Sequence, residues 1–121
     1  MAATKTGNLK DLRGIDGFIG ACLVDSDSGM VYATEGGGGL DLELAAAGNT
    51  EVVRAKRKTM AALDLEDRIE DILITLGAQY HIIRPLDSND SVFIYLAVER
   101  AKANLAMARL KLKEFEKTVK L

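Results

Sequence analysis

Tryptophan is absent from this chain, cysteine and histidine occur once each, and aromatics make up only 5% of the residues. Each shortage removes a class of function. A lone thiol, Cys22, excludes an internal disulfide and any multi-thiol metal centre, and it suits a reducing compartment. So few aromatics argue against a base-stacking platform for nucleic acid. A net charge of −2 supplies no electrostatic footprint for nucleic acid or anionic lipid. Long apolar runs are missing too. The longest, Val92 to Val98, has the length of a strand, far short of the roughly 20 residues of a membrane-spanning helix. Met1 to Asn8 has no apolar run, so a secretory signal is not expected there. These absences lead us to expect a soluble cytoplasmic chain with no membrane insertion, no nucleic-acid partner, no metal and no cofactor.

What is present is an ordinary globular balance, 48% hydrophobic and 28% charged over 121 residues. That length suits one domain, 1–121, with a core large enough to need no staple; residues 1–8 are expected to be flexible. Met1 to Arg13 is polar, with Leu9 and Leu12 three apart, which predicts a short helix ended by Gly14. Phe18 to Val24 is apolar on both alternating faces, as in a strand covered on both sides. Asp25-Ser26-Asp27-Ser28-Gly29 has turn chemistry, and Met30 to Thr34 reads as the returning strand. Gly36 to Gly39 reads as a pliable connection. Asp41 to Leu63 is expected to be a long helix with one stripe formed by Leu42, Ala45, Ala46, Val52, Val53, Met60 and Leu63. Gly48-Asn49 could kink or divide it. An adjacent face carries Leu44, Gly48, Glu51, Ala55, Thr59 and Ala62. Its small side chains either admit a second helix closely or are simply good helix formers.

Three strands follow, at Arg68 to Leu76, Tyr80 to Arg84 and Val92 to Val98, the last apolar on both faces. A final helix over about Lys102 to Lys120 repeats Leu105, Ala108, Leu112, Phe115 and Val119, with a solvated lysine- and glutamate-rich opposite face. The order α-β-β-α-β-β-β-α, with two doubly covered strands, calls for helices on both faces of one sheet: an α+β sandwich with a five-stranded, mainly antiparallel sheet. Arg68 to Leu76 is a plausible edge strand, open to pairing with another chain.

Catalytic groups are hard to find. Asp25, Asp27 and Gly29 resemble the start of a calcium loop, but its twelfth position falls on Gly36 where an acid is needed, so a hairpin turn is preferred. Gly36 to Gly39 lacks the Lys-Ser/Thr that completes a phosphate loop. A Cys22–His81 pair has no third orienting group, and a thiol amid apolar residues is usually inert packing. Asp64, Glu66, Asp67, Glu70 and Asp71 follow the basic run Arg54, Lys56, Arg57, Lys58; a charge-balanced surface is the expected outcome and a docking surface the next. Asn89-Asp90-Ser91 matches a glycosylation sequon only by chance. The chain is expected not to be an enzyme.

Three stretches together resemble the Roadblock/dynein-light-chain (light chain seven) family, in its bacterial type. They are Gly17 to Thr34, with its apolar strand, Asp-Ser-Gly turn and Met-Val-Tyr-Ala; Ile69 to Pro85; and Ala103-Asn104-Leu105-Ala106-Met107-Ala108-Arg109 after a hydrophobic strand. The likeness runs from about Leu9 onward. It implies a profilin-like sheet with the long middle helix on one face and the terminal helices on the other. It also implies a homodimer, or a heterodimer with a paralogue, in which third strands pair edge to edge and middle helices pack antiparallel. Carried onto this chain, it places Asp71, Ile72, Leu73 and Ile74 at the strand seam and Gly48, Ala55, Thr59 and Ala62 at the helix seam. It further implies a partner, a small GTPase whose nucleotide cycle the dimer modulates, or else a tethering role in a motor or signalling complex. Arg54, Arg57 and Lys58 are expected to dock an acidic partner surface. A small-ligand sensor is the third reading, disfavoured by the scarcity of aromatics.

Overall fold

The computed structural model describes residues 8–120. The flexibility expected of residues 1–8 and the start of the first helix therefore fall largely outside the described residues. The first element is a 3₁₀ helix, Leu9–Gly14, capped by the Asn8 side chain, which accepts from the Lys10 amide. Leu9 and Leu12, three apart, share its buried side. Then come β1 (Phe18–Asp25), β2 (Val31–Gly36), α1 (Leu42–Ala62), β3 (Ile72–Thr75), β4 (Gln79–Pro85), β5 (Val92–Glu99) and α2 (Leu105–Glu116).

The five strands form one sheet in the order β2-β1-β5-β4-β3, and every neighbouring pair is antiparallel. β5 is central, and its seven residues from Val92 to Val98 are all buried, as the two-faced apolar run predicts. Alternation divides the core into two layers. Ala21, Leu23, Ile82, Ile94, Leu96 and Val98 face the 3₁₀ helix and α2, meeting Leu12, Ala108, Leu112 and Phe115. Cys22, Val24, Ile83, Phe93, Tyr95 and Ala97 face α1, meeting Leu42, Ala46 and Val53. The expected α+β sandwich, with the middle helix on one face and the terminal helices on the other, is the observed one.

Several local expectations need correcting. The glycine run begins as a packed crossing at Gly36 and Gly37, and only Gly38 and Gly39 lie open. Gly36 pairs with Gly20, the Gly37 amide donates to the Ile19 carbonyl at 2.8 Å, and Gly37 is buried. A Cβ at Gly20 would stand 2.7 Å from the Gly37 Cα, so two backbones touch where only hydrogen fits. Helix α1 runs unbroken through Gly48-Asn49, with the Asn49 amide donating back to the Ala45 carbonyl. β3 starts at Ile72 and not at Arg68. Extending its register beyond Ile72↔Ile83 would set Glu70 opposite Pro85, which has no N–H for a ladder. α2 spans only Leu105–Glu116. Glu116, at its end, is buried with Arg84, Nε to Oε1 at 2.5 Å, and its other oxygen accepts from the Asp87 amide at 2.6 Å.

Candidate interaction surface

Helix α1 begins firmly: Asp41 caps it by accepting from the Leu44 amide, and Leu42, Ala46, Thr50 and Val53 are buried. Thr50 is hidden from an apolar-stripe reading, yet it fits because its hydroxyl donates to the Ala46 carbonyl at 2.7 Å. From Arg54 to Ala62 no residue of the helix is buried. A helical stretch with no fully buried residue has little packing beyond intrinsic propensity to hold it. Two arginines supply local anchors. Arg54 donates to the Ser26 and Asp27 carbonyls, and Arg57 donates to the Asp90 carbonyl at 2.7 Å. Of the three cations expected to dock a partner, two are thus engaged within the chain, and exposed Lys58 stands apart.

The expected helix-seam residues Gly48, Ala55, Thr59 and Ala62 are all exposed. They share one side of α1 with Leu44 and Leu63, exposed by 70% and 61%. Leu63 was expected in the core stripe; it caps α1 beyond the last buried residue and faces solvent. Ala45 and Val52 link this side to the core, being half-buried against the layer that includes Ile72 and Ile74 of β3. The half-buried residues of α1 and those of β3 thus belong to the same face of the sheet.

β3 is an edge, as expected. Ile72 and Ile74 point to the α1 side and Leu73 to the α2 side, all half-buried. Asp71 lies one residue before the strand, and its carboxylate accepts two bonds from Arg109 of α2, both at 3.1 Å. This ion pair fixes the approach to the edge and occupies Asp71 within the chain. The opposite edge, β2, is interrupted. Leu23 pairs with Ala33 and Val24 with Val31, leaving Tyr32 as an extra, bulged residue. Bulges of this kind blunt an edge against strand addition, whereas β3 carries no such irregularity.

The residues weighed for chemistry are engaged in local structure. Asp25 closes the hairpin turn, accepting from the Asp27 amide and the Ser28 hydroxyl, and these bonds hold its carboxyl below the usual range. Cys22 is fully buried, and burial pushes its thiol up to about 12. Cys22 and His81 lie on strands that flank β5, with Tyr95 between them. His81 is hydrogen-bonded through Nε2 with Gln79 Oε1 at 2.7 Å and through Nδ1 with the Tyr95 hydroxyl at 3.1 Å. Desolvation lowers the His81 pKa, and the Tyr95 phenol rises to about 12 through burial, with Cys22 adding to it. This is an array suited to a neutral imidazole. Among the described residues no three His, Cys, Asp or Glu side chains converge as a metal site, and no helix is long and apolar enough to cross a membrane.

No family model and no curated protein matches the sequence. Solved structures do match the fold. A Roadblock/LC7 domain from Streptomyces avermitilis superposes with a TM-score of 0.78 at 13% identity, covering 89% of this chain and 88% of that one. Myxococcus xanthus MglB gives 0.74 at 16% identity, over 91% and 83% of the two chains. The gliding protein MglB from Thermus thermophilus gives 0.75 at 17% identity, over 91% and 81%. The chain thus has the Roadblock/LC7 fold.

Proposed function

We propose that this chain is a dimeric platform that binds a small GTPase and modulates its nucleotide cycle. The observation that carries the dimer is the presence of two unfinished features on one face of the sheet: the stretch of α1 from Arg54 to Ala62, which has no fully buried residue, and the open β3 edge. A second copy related by a two-fold axis completes both at once, joining β3 to β3 and α1 to α1. The contact is isologous and closes on itself, so it ends at two copies. It should bury at least the roughly 1,200–2,000 Å² of stable complexes. The paired α1 helices then form one broad outer face for a partner.

The GTPase is supported by the sequence resemblance to the Roadblock family, together with the shared fold. Regulation would follow from differential affinity: a dimer that prefers one nucleotide state of the switch shifts the cycle by linkage. Arg54 and Arg57, each hydrogen-bonded within the chain, shape the surface that an acidic partner would meet. The test is single-turnover GTP hydrolysis and nucleotide release by purified small GTPases of the same organism, with and without the purified protein. A changed rate is expected. Binding with unchanged rates would leave a scaffold that tethers without regulating, and the absence of binding would remove the GTPase altogether.

A further inference from the structure

We propose that Glu51 and Lys58 are the self-recognition pair of the α1 seam, Glu51 of each protomer meeting Lys58 of the partner subunit. The inference rests on the dimeric reading above and adds to it the rule by which one copy selects another. Along α1, Ala45, Val52 and Thr59 recur every seven residues, and Gly48, Ala55 and Ala62 follow each by three, which is the spacing of a two-helix seam. Antiparallel pairing about a two-fold axis sets Ala45 against Ala62, Gly48 against Thr59 and Val52 against Ala55. A slide of one heptad loses part of this match, so the small side chains select one register.

In that register the residues just before Val52 and Thr59 lie on the same outer flank of the seam. They are Glu51 and Lys58, and the two-fold axis generates their contact twice. Both are exposed. The Glu51 side chain is 74% exposed, and its ion-pair contact within the chain is Arg54 at 3.6 Å, whose guanidinium is already engaged with the Ser26 and Asp27 carbonyls. Glu51 is thereby left with a loose local partner. On the inner flank the same register pairs Asn49 with Lys56, which brings no like charges together. Flanking charges of this kind set partner choice and orientation in helix pairs.

Charge reversal tests the pair. Glu51→Lys and Lys58→Glu, each alone, turn two attractive contacts into repulsive ones and should weaken the homodimer by roughly tenfold at low salt. An equimolar mixture of the two variants should form a heterodimer of near-parent affinity, seen as one mixed-mass species in native mass spectrometry. The doubly reversed chain should again form a homodimer. If the parent is dimeric and both single variants dimerise equally well, the pair is wrong although the dimer stands. A monomeric parent would overturn the dimeric reading and this inference with it.

Discussion

Cys22 shows how a residue's surroundings decide its chemistry. With no exposed surface and a thiol pushed up to about 12, it should not react with a thiol reagent at pH 8 until the chain unfolds; rapid modification of the native protein would contradict its burial. His81 makes a pH prediction. Its pKa in the folded chain lies below the ordinary 6.5, so the unfolded chain binds the proton more readily. Its neutral form is fully compatible with the fold above pH 6.5, and stability should fall as pH drops from there through the folded-state pKa. Replacement by Gln should flatten that part of a melting-temperature profile. Gly20→Ala would press a methyl onto the Gly37 backbone and should cost about 1–3 kcal/mol in chemical denaturation, since neither backbone can yield cheaply. The inert character of Cys22 was readable in its apolar neighbours. The tight glycine crossing was not, because a run of glycines looks alike whether it is loose or pressed against an earlier strand.

At the scale of elements, periodicity carried most of the information. The two-faced runs in β1 and β5 placed both strands inside the sheet, and the stripe from Leu105 to Val119 marked the buried side of α2. Boundaries were less readable, since they depend on partners distant in sequence. β3 stops short of Arg68 where Pro85 ends its ladder. The buried ion pair is the clearest omission: Glu116 looks like one more surface glutamate until β4 brings Arg84 beside it across 32 residues. Both side chains are 6% exposed. Glu116→Ala would strand a buried guanidinium and release the Asp87 amide, and should cost about 3–5 kcal/mol by denaturant unfolding. A loss below about 1 kcal/mol would mean that Arg84 finds another partner or reaches water. The seam side of α1 was visible as a wheel of small residues, but its meaning was not. Surface alanines and an interface give the same pattern until a core shows which half of the helix it leaves uncovered.

The whole molecule is a sheet finished at one edge and open at the other. The bulge at Tyr32 blunts β2, while β3 is a regular edge. This asymmetry favours a closed pair over an open-ended polymer. Ala55→Glu would place a charge in the middle of the proposed helix seam while remaining exposed in the single chain, so it should weaken dimerisation by roughly a hundredfold and leave the circular dichroism spectrum unchanged. The fold class was legible in the sequence; the protection of β2 and the engagement of Arg54, Arg57 and Asp71 were not. The central claim meets its most direct test in sedimentation equilibrium of the intact chain over a micromolar concentration series. A molar mass twice that of the chain is the predicted result, and a mass equal to one chain at every concentration would contradict it.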